Sequence, residues 1–322
     1  MQRRGVIALL PLLASAAVAS AQSYPVRPVR VIVTQTAGSS MDVLARMVAP
    51  KMADLTGQQF VIDNRGGAAG VIGAQIGATS PADGYTLVFS GASSLIITTF
   101  TYKKVGFDPI RDFEPVSLVV AQEALLVVNP GSPVKSVKEL IETAKTRASK
   151  FNMASAGTGS SGHLAGVMFT TLAGIESAHV AYKGGGQMAL ALISGESQWG
   201  VGLVASFMGH VKAGRLRALA ISSSQRSPLL PDMPTVEESG VPGYDFTSWN
   251  GFFAPKGTSR AIVKTVHGMV QKALTQPEVK DLYTAQLMTP QGSASPEEFG
   301  QFYRADFERV AKLIKIAGIK PE

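Results

Sequence analysis

The sequence predicts an α/β fold built as two lobes. Short β-branched runs alternate with amphipathic helical patterns along most of the chain, which is the signature of βαβ units and a largely parallel sheet. One local pattern, an apolar strand followed by a Gly/Ser/Thr loop and then a helix, occurs twice, once in each half. The chain has no cysteine and 322 residues, so its core is large enough to need no covalent staple.

Arg3 and Arg4 precede an apolar run from Val6 to Val18, and small residues follow to Ala19-Ser20-Ala21. Residues 1–21 therefore read as a signal peptide cut after Ala21, a cut after Ala19 fitting nearly as well. Gln2-Arg3-Arg4-Gly5 lacks the rest of a twin-arginine signal, so ordinary export is expected. No later segment approaches the roughly 20 uninterrupted apolar residues of a membrane-spanning helix. The expected location is the periplasm, free of the membrane, because without cysteine there is no lipid anchor. The same absence removes thiol nucleophiles and cysteine metal sites.

The first lobe opens with a strand at Val29–Val33 and a helix over Val43–Leu55, whose Leu44, Met47, Val48, Met52 and Leu55 form one apolar stripe. A strand at Phe60–Asp63, a helix at Val71–Ala78 and a strand at Thr86–Ser90 follow. The scheme repeats with a strand at Leu125–Val128, a helix opening at Ser136, a strand at Phe151–Ala154, and a helix from about His163 to Leu172. Strands near Ala178–Ala181 and Leu216–Ile221 continue it. Ser136 with Glu139, Thr235 with Glu238, and Ser295 with Glu298 are capping boxes that mark helix starts, the last with Pro296 at the first helical position. From Arg260 onward the chain is mostly helical, with stripes through Val263, Val266, Val270 and Leu274 and through Phe299, Phe302, Phe307 and Val310. Such a tail packs on an existing sheet, so the chain is expected to leave the first lobe, build the second and return. Residues 22–123 plus 247–322 are assigned to lobe 1 and 124–246 to lobe 2, with crossings near Ala121–Leu126 and Tyr244–Phe252.

The repeated loops are Thr34-Gln35-Thr36-Ala37-Gly38-Ser39-Ser40-Met41 and Ser155-Ala156-Gly157-Thr158-Gly159-Ser160-Ser161-Gly162. A helix N-terminus offers unpaired N–H groups and partial positive charge, glycine lets backbone approach a ligand, and hydroxyls donate to carboxylate oxygens. Two such tips facing one another would clamp an anion, although Gly/Ser loops also serve as plain turns and Asp42 as a plain cap. Two further loops follow strands, Ser90-Gly91-Ala92-Ser93-Ser94 and Tyr182-Lys183-Gly184-Gly185-Gly186. All four should meet beyond the carboxyl ends of the strands, where open α/β sheets bind ligands. Thr36, Gly38, Ser39, Ser40, Ser93, Thr158, Gly159, Ser160 and Lys183 are the expected contacts, with Tyr182 in the wall. Ala37, Asp42, Ser90, Ser155, His163 and Gly184 complete the candidate set. Lys183 is the only cation in these loops and reads equally well as a solvated surface lysine.

Other chemistries fare worse. The net charge of +7 is mild and unclustered, which suits an anionic solute and argues against nucleic acid. Gly157-Thr158-Gly159-Ser160-Ser161-Gly162 matches the dinucleotide motif G-x-G-x-x-G, but Tyr182-Lys183 stands where the ribose-binding acid belongs. No G-x-S-x-G elbow supports a serine hydrolase, and the four histidines show no metal spacing. His163 reads as a helix-capping partner, a ligand neighbour or a general base; Trp249 and Phe252 read as core before ligand-stacking. No catalytic residue, metal or cofactor is assigned, and a secreted enzyme acting on a small acid is the alternative.

Many short segments, in order, resemble the substrate-binding proteins of tripartite tricarboxylate transporters, the Bug family. They include Pro28-Val29-Arg30, Asn64-Arg65, Ala82-Asp83-Gly84-Tyr85-Thr86-Leu87, Phe113-Glu114-Pro115-Val116-Ser117 and Val127-Val128-Asn129-Pro130. Ala154-Ser155-Ala156-Gly157-Thr158-Gly159-Ser160, His163-Leu164-Ala165-Gly166, Tyr182-Lys183-Gly184 and Leu229-Leu230-Pro231-Asp232-Met233-Pro234-Thr235-Val236 extend the resemblance over the mature chain. It implies a type II periplasmic-binding fold, two Rossmann-like lobes hinged about a cleft, closing on a small organic carboxylate. It also implies a two-component membrane permease as partner, or a receptor if the protein is a sensor subunit; a monomer is expected. The first loop departs from the family's Pro-Phe-x-Pro-Gly-Gly, and Gln187, Ala191, Gln198 and Gly202-Leu203 stand where Pro, Asp, Asp and Asp-Asn are common. A less polar far wall is expected, favouring one carboxylate with an apolar remainder over citrate.

Overall fold

The computed structural model describes residues 24–147, 151–286, 288–316 and 318–321. The signal-peptide expectation lies outside them. In the first lobe, β1 (Val29–Val33) lies between β2 (Phe60–Asn64) and β3 (Thr86–Gly91), all parallel. Helices α1 (Ser40–Thr56) and α2 (Val71–Ala78) make the crossovers. In the second lobe, β5 (Met153–Ser155) lies parallel between β6 (His179–Ala181) and β7 (Trp199–Leu203), with α5 (Ser161–Ala173) and α6 (Gly185–Ser194) as crossovers.

The long strands that join the lobes are antiparallel, so the sheets are mixed rather than largely parallel. β4 runs from Phe113 to Val128, far beyond the strand expected at Leu125–Val128. Its residues Phe113–Glu123 pair with β9 (Thr247–Pro255), whose other edge pairs with β3. From Ala124 onward the same strand pairs with β7 and with β8 (Arg217–Ile221) in the second sheet. One continuous strand therefore belongs to both sheets, and it changes partners between Glu123 and Ala124. Beyond β9 come α8 (Arg260–Thr275), α9 (Pro277–Ala285), the two-residue β10 (Thr289–Pro290) on β4, and α10 (Pro296–Ile316).

One apolar cluster packs α1, α8 and α9 on the first sheet, with Met47, Val48 and Met52 against Val266, Val270 and Tyr283. A second fills lobe 2 through Leu125, Val127, Met188 and Phe207. A third crosses between lobes, joining Phe169, Trp199 and Tyr244 to Trp249, Phe253, Phe299 and Tyr303 of the α10 side. Trp249 and Phe252 are fully buried, which is the core reading, and Trp249 donates its indole N–H to Asp306 at 2.8 Å.

Two details differ from the sequence reading. The Thr235–Glu238 box forms, with Glu238 N–H on Thr235 Oγ1 at 3.0 Å, but it closes a turn rather than opening a helix. Gly240 and Pro242, which follow at once, cut off any further helical turn. Strand β7 and the helices α6 and α7 (Val204–Lys212) were not foreseen. Gly200 and Gly202 break the β-branched pattern of β7, and Gly185-Gly186 opens α6 without a capping side chain.

Candidate functional site

The two Gly/Ser loops fold as copies of one another. In lobe 1, Ser39 caps α1: its Oγ accepts the Asp42 N–H at 3.2 Å, and its own N–H donates to Thr36 O. In lobe 2, Ser160 caps α5: its Oγ accepts the His163 N–H at 3.2 Å, and its N–H donates to Gly157 O. The cap dihedrals agree within a few degrees, φ −68° and ψ 161° at Ser39 against −68° and 159° at Ser160. The residue before each cap is a left-handed glycine, Gly38 at φ +78° and Gly159 at φ +74°. In each copy the third helical residue reaches back to that glycine. Gly38 N–H donates to Asp42 Oδ2 at 2.8 Å, and Gly159 N–H donates to His163 Nδ1 at 3.0 Å.

The symmetric caps hold different charges. Burial opposes ionisation of Asp42, but hydrogen bonds from Gly38 and Asn64 and the charge of Arg46 outweigh it and keep its pKa below the ordinary value. His163 is held neutral: burial, then the nearby His179, pulls it from 6.5 to about 4. The two imidazoles stack with centroids 3.8 Å apart and planes 9° from parallel. His179 Nε2 in turn lies 2.7 Å from Ser155 Oγ, which accepts the Gly157 N–H at 3.1 Å. The lobe-2 loop is thus braced from below by a histidine pair.

Both tips open into one cleft of about 680 Å³ between the lobes. Gly38, Ser39, Ser40 and Ser93 line it from lobe 1, and Thr158, Gly159, Ser160 and Gly184 from lobe 2. Two more helix N-termini join them: Gly184, Gly185 and Gly186 at α6, and Leu203 and Ser206 at α7. No charged side chain lines the cleft among the described residues. An anion there would be met by helix N–H groups and hydroxyls, which bind it through partial charge and directed donors. Across the cleft the lobes touch: a Cβ built on Gly159 would stand 2.9 Å from Thr101 Cγ2.

The other sequence candidates do not reach the cleft. Thr36 and Ala37 are exposed and do not line the cleft. Asp42 and His163 are buried behind the tips as caps. Ser90 belongs to β3 rather than to a loop, fully buried, with its hydroxyl 2.9 Å from Thr34 Oγ1. Ser155 is spent on its own loop, so its contact with His179 is a buried brace and not an exposed nucleophile with its base. The Tyr182 hydroxyl bonds Glu196 and Ser197 on the far side of α6, and Lys183 is exposed, its backbone N–H on Gln187 Oε1.

Sequence reasoning missed the floor. Gln122 of β4 and Asn250 of β9 line the cleft where the two sheets meet, 4% and 6% exposed, and Gln122 Nε2 donates to Asn250 Oδ1 at 2.5 Å. The available signal was a lone carboxamide inside each of two apolar runs, Val119-Val120-Ala121-Gln122 and Trp249-Asn250-Gly251-Phe252. The far wall is made of Gly185, Gly186, Leu203 and Ser206, with Met188 and Phe207 fully buried just behind it. Gly202 makes room for that layer, since a Cβ there would stand 2.4 Å from the Phe207 ring. Gln198, by contrast, accepts the Asn152 N–H away from the cleft.

A family model described as the tripartite tricarboxylate transporter family receptor matches residues 44–319. Protein BugT of Bordetella pertussis is 35% identical over 306 residues, covering 95% of this chain and 94% of its own. Among solved structures, an R. palustris protein with adipate superposes with a TM-score of 0.83 at 34% identity, covering 93% of this chain and 100% of that one. MatC from Rhodopseudomonas palustris, solved with bound malate, gives 0.78 at 28% identity over 90% of this chain and 100% of its own. The two-lobed periplasmic-binding fold expected from the sequence is that of these structures.

Proposed function

Because the chain belongs to the tripartite tricarboxylate transporter receptor family, a family of solute-binding proteins, we propose that its cleft captures a small organic carboxylate in the periplasm for a two-component membrane permease. The observation that carries this reading is the convergence of four helix N-termini on a cleft lined by hydroxyls, carboxamides and glycine backbone, without a charged side chain among the described residues. Adipate and malate in the cited relatives support an acid as the ligand class.

The carboxylate is assigned to the two copied tips, received by the hydroxyls of Ser39 and Ser160 and by the N–H groups and hydroxyls of Ser40 and Ser161. Ser93 and Thr158 flank them. Lobe 1 is taken as residues 22–123 plus 247–322 and lobe 2 as 124–246, a division supported by the change of partners along β4. Closure is driven by a ligand that bridges the lobes, because a ligand touching one lobe alone gains nothing from bringing them together. The uncharged far wall of Gly185, Gly186, Leu203 and Ser206 favours a single carboxylate over citrate. Its role is capture rather than catalysis.

The test is a thermal-shift screen of small organic acids on the mature protein, followed by calorimetry and small-angle scattering on the best hit. At about 100 times the dissociation constant the ligand should add roughly 2.7 kcal/mol of stability, with compaction and no turnover. A flat response to every acid refutes carboxylate capture. Citrate binding as tightly as the best monocarboxylate refutes the single-carboxylate assignment.

A further inference from the structure

We propose that the carboxamide pair at the cleft floor reads a neutral hydroxyl or carboxamide on the bound acid, so that the natural solute carries such a group in addition to its carboxylate. This rests on the reading of the cleft as a carboxylate site and names a feature of the ligand that this reading leaves open.

Gln122 and Asn250 are each more than nine-tenths buried, yet both line the cleft. Their mutual hydrogen bond of 2.5 Å uses one N–H of Gln122 and the oxygen of Asn250. Among the described residues no protein group bonds the remaining Gln122 Oε1 or Asn250 Nδ2. Exchanging the roles of the two amides changes nothing in this count, since one amide nitrogen and one oxygen are left over either way. The floor therefore presents, besides the second Gln122 N–H, an unbonded amide nitrogen and an unbonded amide oxygen.

Neither helix tips nor hydroxyls would select for that combination. A carboxylate oxygen only accepts, so at this floor it could take the free N–H groups but would leave Gln122 Oε1 without a donor. A hydroxyl or a carboxamide accepts from one member and donates to the other. The match gains its weight once a ligand covers the floor, because a polar group sealed from water and left unpaired costs far more than a solvated one. A site built to pair with a hydroxyl also discriminates strongly against the analogue lacking it.

The pair is held for this role by its surroundings. Asn250 stands opposite Gly91 in the β3–β9 register, and a Cβ on Gly91 would lie 2.7 Å from Asn250 Nδ2 and 2.3 Å from Trp249 O. A side chain at 91 would collide with the Asn250 amide and with the β9 backbone. Gln122 is set one residue before the point where β4 passes from one sheet to the other.

The test is calorimetry on the mature protein with matched acids that differ by one hydroxyl: mandelate against phenylacetate, lactate against propionate, malate against succinate. In the pair that binds best, the hydroxy acid should bind about tenfold tighter or more, the scale of one well-made hydrogen bond. Gln122→Met should shrink that ratio to below about threefold. Equal or tighter binding of the deoxy acids by the unmodified protein overturns the inference and leaves carboxylate capture standing. That comparison needs no variant, so it decides even if Gln122→Met does not fold. An unchanged ratio in folded Gln122→Met also overturns it. Failure of every acid to bind removes both readings together.

Discussion

Acidification should unlatch the lobe-2 loop, and the size of the effect follows from the histidine brace. His163 accepts the Gly159 N–H through Nδ1, so it must be unprotonated there, and it lies at the N-terminus of α5, where positive charge is disfavoured. Its pKa of about 4 in the fold compares with 6.5 when free. Between those values the unfolded chain binds a proton that the folded chain does not, so stability falls as pH falls through this window. Above about pH 6.5 the contribution is fully present, and below about pH 4 it is gone. At about 1.4 kcal/mol per unit, His163 alone removes roughly 3 kcal/mol over the window. His179, whose pKa burial also lowers, acts in the same direction. Urea unfolding at several pH values between about 7.5 and 4 should be run on the protein and on His163→Asn, whose carboxamide can still accept the Gly159 N–H but does not titrate. The difference between the two curves should grow by about 2–3 kcal/mol toward acid. Parallel curves would refute the assignment of a neutral, Nδ1-accepting imidazole.

Two glycines give sharper structural tests. Gly159→Ala forces an L side chain into φ +74° and against Thr101, so it should cost about 1–2 kcal/mol in unfolding. Because that clash lies between the lobes, ligand-induced compaction by small-angle scattering should also be lost, and full compaction would count against the contact across the cleft. Gly202→Ala pushes on the Phe207 ring beneath the far wall, with about 1–3 kcal/mol of destabilisation expected by thermal melting. A neutral effect would mean that Phe207 has room the structure does not give it.

The copied tips were legible because their requirement is local: a small or hydroxylated residue at each cap, glycine before it, and an apolar stripe after it. Ser39, Ser40, Ser160 and Gly159 could be placed in a cleft on that basis alone. Their third helical residues were harder, since nothing in the sequence says whether Asp42 and His163 point forward to a ligand or back to the preceding glycine. Backward geometry wins in both because an unpaired N–H at a left-handed glycine lies within reach. Gln122 and Asn250 were hidden for a different reason. Each sits in a strand whose neighbours are core residues, and only the pairing of β4 with β9, distant in sequence, puts the two carboxamides side by side. The same nonlocality concealed β7, where glycines erase the β-branched signal in order to seat Met188 and Phe207 from neighbouring helices.

Sharing one strand between two sheets makes the molecule a lever. Were the lobes to rotate relative to one another, the natural fulcrum would be where β4 exchanges partners, at Glu123 and Ala124. Gln122 lies beside that exchange, whereas Gly159 and Thr101 face one another from opposite lobes. On the proposed reading, a solute seated on Gln122 would then rest beside the pivot of any closure.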